Sequence, residues 1–176
     1  MKKRVFIGCV LSSPLKNAIH HWTLCHDEYP VDWVLPQNLH ITLVSPWEED
    51  DVEQVIEKLH GNRFSSSFIL HLDIASLGPS FKQPRLIWIK GTARKPILDL
   101  KYHLESVLHI TPTDREYIPH ITITRFTPAQ FSQFPVKNLF EEISLQEYIT
   151  SYSLFESRPQ RFDNTYTELV RIPMSD

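Results

Sequence analysis

Glycine is scarce in this chain, with four in 176 residues. None of them builds a Gly-rich loop for nucleotide phosphates, and no nucleotide-activating lysine motif is present, which argues against ATP-driven chemistry. Cysteine is scarcer still. Cys9 and Cys25 supply neither a disulfide framework nor metal-ligand spacing. No apolar run approaches the roughly eighteen residues of a membrane span. Positive charge is not in excess either: 18 Lys and Arg face 21 Asp and Glu, for a net charge of −3 and a pI near 6.3. A protein that coats long nucleic acid needs a basic surface, so that class is excluded, while a small nucleotide or the end of an RNA stays open.

What remains is an ordinary soluble composition, 41% hydrophobic and 22% charged, at a length that suits one domain of two small lobes sharing a core. One segment mimics a targeting signal. Met1-Lys2-Lys3-Arg4 precedes the apolar stretch Val5 to Leu11, and Phe6-Ile7-Gly8-Cys9 looks like a lipoprotein cleavage box. Seven apolar residues lie at the lower limit for a signal peptide. A buried first strand explains them better, and a cytoplasmic protein is expected.

The pattern predicts a mixed α+β chain. Residues 4–11 read as a strand, followed by a helix capped at Ser13 with Pro14 in its first turn. Residues 38–45 read as a second strand. Asp51 with Gln54 opens a helix that buries Val52, Val55, Ile56 and Leu59. Strands are expected at 66–77 and 85–90, a helix after Pro96, and strands at 117–126, 143–156 and 165–173.

Within this order one short signature stands out, His-x-Thr. Nine His and eleven Thr would produce about half an occurrence by chance, yet there are four. His21-Trp22-Thr23 falls in a helical stretch, where residues i and i+2 diverge. His109-Ile110-Thr111 runs into Pro112 and reads as a helix end or turn. The other two sit in β-prone frames, His40-Ile41-Thr42-Leu43 and His120-Ile121-Thr122-Ile123, and a proline follows each, Pro46 and Pro128. On a strand, i and i+2 share a face. Each copy therefore offers an imidazole and a hydroxyl side by side. Two such strands brought together supply a general acid, a general base and two hydrogen-bond donors, the groups that phosphoryl chemistry needs. No H-x-H, C-x-x-C or acidic cluster accompanies them, so no metal and no cofactor is expected.

These pieces, in order, resemble the 2H phosphoesterase superfamily, most nearly its bacterial 2′-5′ RNA ligase or RNA 2′,3′-cyclic phosphodiesterase branch. The resemblance rests on Arg4-Val-Phe-Ile-Gly8, Asn38-Leu-His-Ile-Thr-Leu43, Pro84-Arg-Leu-Ile-Trp88, Tyr117-Ile-Pro-His-Ile-Thr-Ile-Thr-Arg125, Ser153 to Ser157 and Tyr166 to Leu169. After the first motif, Val44-Ser45-Pro46-Trp47 departs from the Phe-Leu-Gly-like turn usual in that branch. The resemblance implies a bilobal α+β fold with pseudo-two-fold symmetry, two antiparallel sheets lining a central cleft and helices outside. It implies hydrolysis of a 2′,3′-cyclic or 2′-5′ phosphodiester without a metal, with His120 as base, His40 as acid and a terminal 2′-phosphate as product. Substrates would be RNA ends or small cyclic nucleotides, handled by a monomer with no membrane and no protein partner.

Candidate substrate-binding residues are Arg125, Phe126, Trp88 and Arg85. Strict alternation puts Arg125 on the face opposite His120, so it joins the site only if a bulge re-aims it. Two other functions compete: a nucleotide- or RNA-end-binding module of the same fold, for which intact His-Thr pairs would be superfluous, and a 2′-5′ RNA ligase.

Overall fold

The computed structural model describes residues 2–64, 66–159 and 164–174. Its strands are β1 (Lys3–Val10), β2 (His40–Glu49), β3 (Phe68–Gly78), β4 (Leu86–Lys90), β5 (His120–Arg125), β6 (Phe140–Ile149), β7 (Ser151–Pro159) and β8 (Asn164–Pro173). The helices are α1 (Ser13–Leu24), α2 (Val52–Gly61), α3 (Lys95–Leu108) and α4 (Pro128–Ser132). None of the helices among the described residues is long and apolar enough to cross a membrane.

The strands lie in the order β6-β3-β4-β5-β2-β1-β7-β8, and every neighbouring pair is antiparallel. Two four-stranded halves meet in the middle. Their junction is one residue pair wide, Ile41 opposite Ile121. Hydrogen bonding thus runs through one eight-stranded sheet, where the sequence suggested two separate ones. The pseudo-symmetry is plain in the order: β1-α1-β2 in one half matches β4-α3-β5 in the other. Ile41, Leu43, Ile121, Ile123, Ile87 and Ile89 are all essentially buried, and they join one core with Leu100 and Leu104 of α3 and Leu15 and Ile19 of α1.

Several boundaries differ from the sequence reading. The cap of α1 is Ser12, whose hydroxyl accepts from the Leu15 amide at 3.4 Å, and Ser13 is the first helical residue. Asp51 caps α2 as expected. Pro46 does not end β2, because it sits where two residues, Ser45 and Pro46, lie opposite Phe6 alone, and a bulge tolerates the missing amide. Pro128 does end its strand, because it opens α4 behind a Thr127–Gln130 capping box. The expected strand 143–156 is two strands, β6 and β7. The chain leaves the outer edge of one half at Ile149 and enters the other half at Ser151. Cys9 is buried within β1, opposite Ile41. Burial pushes its thiol up to about 12, aided by the Glu147 carboxylate.

Candidate active site

The two signatures begin the two strands that meet at the centre, His40-Ile41-Thr42 on β2 and His120-Ile121-Thr122 on β5. Ile41 and Ile121 point into the core, and the alternate residues are half-buried on the other face. Extending the Ile41–Ile121 register by one residue each way sets His40 opposite Thr122 and Thr42 opposite His120. Each imidazole then has the other half's hydroxyl as its cross-strand neighbour.

Both imidazoles are held in the same way. His40 Nδ1 lies 2.7 Å from the Asn38 carbonyl, and His120 Nδ1 lies 2.7 Å from the Ile118 carbonyl. A carbonyl only accepts, so Nδ1 carries the proton and donates it. That fixes the tautomer and leaves each Nε2 for chemistry. Burial lowers the pKa of His40, the Asn38 carbonyl opposes the shift, and His120 and Arg125 lower it further. Burial likewise lowers His120, opposed by the Ile118 carbonyl and helped by Arg125. Both shifts favour the neutral ring, the form a general base needs.

Arg125 enters the site through a bulge. On β4, Trp88 pairs with Thr122 and Ile87 with Thr124, so Ile123 is an extra residue on β5. Ile123 and Thr124 are both buried, the Thr124 hydroxyl donates to the Asp32 carbonyl at 2.7 Å, and the phase of the strand is reversed. Arg125 returns to the face of His120. β2 has the same device, since Gly8 pairs with Thr42 and Ile7 with Val44, leaving Leu43 as the extra residue. Ser45 therefore occupies the place in the first half that Arg125 occupies in the second.

The other predicted residues divide. Trp88 faces His120, with ring centroids 4.9 Å apart and an interplanar angle of 61°. Its Nε1 donates to Ser76 Oγ at 2.9 Å, which fixes the indole. Phe126 is only 7% exposed and packs on Phe131 and Phe134, at 5.8 and 4.7 Å. It is a core residue with no ring face to offer a base. Arg85 is exposed and just precedes β4, where alternation groups it with Ile87 and Ile89, away from Trp88. The structure thus gathers His40, Thr42, His120, Thr122, Trp88 and Arg125, and leaves Phe126 and Arg85 outside. The other two His-x-Thr histidines lie outside the site, both exposed: His21 in α1, and His109 at the end of α3 with φ of 56°.

Phe6, Tyr166 and Tyr117 were missed. Phe6 and Tyr166 each hold a ring centroid close to His40, at 4.9 Å, and Phe155, an aromatic the sequence offers for stacking, lies against Phe6 at 5.0 Å. The Tyr117 hydroxyl donates to the Thr42 carbonyl at 2.8 Å, tying β2 to the loop that leads into β5. Strand pairing across more than a hundred residues brings Tyr166 to His40, and no local pattern announces it. Among the described residues no three His, Cys, Asp or Glu side chains gather as a metal site would require.

Two His-x-Thr strands, matched in anchoring and in bulge across a pseudo-two-fold axis, define the 2H phosphoesterase class. Residues 11–153 match the model of the 2′-5′ RNA ligase superfamily, and the chain belongs to that family. No curated protein sequence matches it. Among solved structures it is similar to LigT of E. coli complexed with 3′-AMP, with 23% identity over 100% of each chain and a TM-score of 0.76. It is similar to a phosphoesterase, at 24% identity over 100% of each chain and a TM-score of 0.77. It also resembles TT0787 of Thermus thermophilus, at 21% identity over 97% of each chain and a TM-score of 0.77. At these identities the likeness establishes the fold.

Proposed function

We propose that the protein is a phosphodiesterase that opens the 2′,3′-cyclic phosphate of an RNA or nucleotide end by acid–base catalysis between two histidines. The observation that carries this reading is the pair of identically anchored imidazoles, His40 and His120, each with Nε2 turned to one face. LigT of E. coli, which shares the fold, is known in complex with 3′-AMP and with phosphate.

In this scheme His120 Nε2 takes a proton from water as the water oxygen bonds to phosphorus. The P–O3′ bond breaks, and His40 Nε2, protonated in the complex, gives its proton to O3′. The product is a 2′-phosphate. Roles and regiochemistry follow the family resemblance, since the two anchors are alike. Protonating one imidazole falls to the substrate, because a bound phosphodiester anion raises the pKa of a nearby ring. Thr42 and Thr122 donate to the non-bridging oxygens and the Arg125 guanidinium balances their charge, so these side chains supply what a metal ion would otherwise provide. A 5′-hydroxyl in the place of water would give a 2′-5′ linkage by the same steps, which is the ligase reading.

The test is a panel of 2′,3′-cyclic nucleotides, 2′-5′ dinucleotides and cyclic-phosphate-ended oligoribonucleotides, incubated with chelator-treated protein and followed by phosphorus NMR. A single 2′-phosphate product supports the reading. Mixed 2′ and 3′ products, or activity only after a divalent ion is added, overturns it.

A further inference from the structure

The two motif strands share one registered pair, Ile41 and Ile121. Beyond it the inner edge of each strand needs other partners for its backbone. Each is braced by the segment that leads into the other motif. On β5, the Val34 amide donates to the Ile123 carbonyl at 2.9 Å, Trp33 pairs with Thr124, and the Thr124 hydroxyl donates to the Asp32 carbonyl. Residues 32–34 lead into His40. On β2, the Thr42 carbonyl accepts from the Tyr117 hydroxyl at 2.8 Å. Tyr117 lies three residues ahead of His120.

The two braces are unlike. The first includes a backbone hydrogen bond and a strand bridge, whereas the second hangs on one phenol. Gln37, three residues ahead of His40, is exposed, so the first half has no counterpart of Tyr117. The phenol is well held. Lys101 Nζ of α3 lies 5.7 Å from its ring centroid, and Lys101 is itself buried and paired with the buried Glu105. A cation fixed against the ring face limits how the ring can turn. Burial, with Cys9 nearby, raises the pKa of the phenol, so it stays protonated and able to donate.

The brace bears on a particular spacing. Thr42 is the cross-strand neighbour of His120, and Tyr117 joins the two through three residues of chain and one hydrogen bond. We propose that Tyr117 is a positioning residue: its hydroxyl holds Thr42 at the distance from His120 at which the threonine donates to the phosphate while the imidazole activates water. This rests on the cyclic-phosphodiesterase reading. A donor displaced from its oxygen loses stabilisation of the transition state, so the loss falls on kcat more than on KM.

The experiment removes the hydroxyl and keeps the ring, as Tyr117→Phe, in the parent and in Thr42→Val and Thr122→Val backgrounds. Steady-state kinetics on a 2′,3′-cyclic nucleotide reads the effect. In the parent, Tyr117→Phe should lower kcat about tenfold with KM unchanged, a part of the roughly 10²-fold that deleting the donor outright costs. In the Thr42→Val background the same change should cost less than about twofold, and in the Thr122→Val background about tenfold again. Equal losses in the two backgrounds would show a general effect on the fold and would overturn the assignment. So would a loss confined to KM, or no loss. Methyl NMR of labelled threonines supplies a readout independent of turnover. The Thr42 methyl should become more mobile in Tyr117→Phe while that of Thr122 keeps its order, and an unchanged Thr42 methyl would overturn the role of Tyr117. Absence of turnover by the parent would instead sink the phosphodiesterase reading, and the methyl measurement would still decide whether Tyr117 holds Thr42.

Discussion

The strands β2 and β5 are near copies in backbone and differ in what surrounds them. Both begin with His-Ile-Thr, both anchor Nδ1 to a carbonyl two residues upstream, and both carry an extra residue after the threonine. The neighbours are unlike. His40 is lined by Phe6 and Tyr166, His120 by Trp88. Gly8 stands where the other half has Trp88, Val44 where it has Thr124, Ser45 where it has Arg125 and Val10 where it has Lys90. The repeated backbone delivers two equivalent imidazoles, and the unrepeated side chains give them different surroundings. A reaction needs an acid and a base that are not interchangeable, so chemical asymmetry here lies in the second ring of residues.

The equivalence of the imidazoles is the first thing to break. His40→Ala or His120→Ala should each cost about 10²–10⁴-fold in kcat on a 2′,3′-cyclic phosphate. The double variant should lose far less than the product of the two, because the pair acts as one unit. His21→Ala and His109→Ala should change the rate little. Steady-state kinetics on the set checks all three statements, and decoy losses as large as those of the pair would refute the assignment.

Removing Arg125 tests the asymmetry itself. Arg125→Gln should cost about 10²-fold in kcat/KM, comparable with the loss of one oxyanion donor, whereas Ser45→Ala should cost little. The pH profile gives the sign. Burial and Arg125 lower both imidazoles, so the bell of kcat/KM against pH should be centred on the acid side of an ordinary histidine, near pH 6.5. Without the cation both limbs should move to higher pH. Limbs that stay in place would show that Arg125 does not act on the pair.

Two smaller changes make the halves more alike and should be read by thermal melting. A Cβ added at Gly8 would sit 2.7 Å from the Ile41 carbonyl. Backbone cannot yield as a side-chain end does, so Gly8→Ala should destabilise by about 1–3 kcal/mol. Thr124→Val copies Val44 and deprives the Asp32 carbonyl of its donor. It should cost about 1 kcal/mol. A neutral Gly8→Ala would mean that β1 and β2 can part without loss.

The same comparison explains what could be read from residues alone. The placement of the two His-Thr pairs on one face was legible, because period-2 alternation sets polar residues on one side of an apolar strand. The phase of Arg125 was not, since Ile123 and Thr124 are both ordinary β residues and nothing local marks two in a row as buried. Phe126 was misplaced for the same reason: its neighbours Phe131 and Phe134 come from α4 and the turn behind it, a five-residue helix whose Thr127–Gln130 capping box lies in plain view in the sequence. The turn at Thr150 had no glycine or proline to announce it. Tyr166 was invisible because its contact with His40 spans the chain.

The strand order has a consequence for how the molecule is made. The half that holds His120 is built from one continuous stretch, β3 to β6, and its strands can pair as soon as residue 149 has emerged from the ribosome. The half that holds His40 joins the first two strands to the last two. During synthesis β1 waits for β7, with Phe6 and Ile7 unmatched until Phe155 and Leu154 arrive. Closing so long a loop is slow. The half that holds His40 is therefore the first to be translated and the last to be completed, and a chain stalled before β7 would display the apolar flank of β1 to chaperones and to other nascent chains.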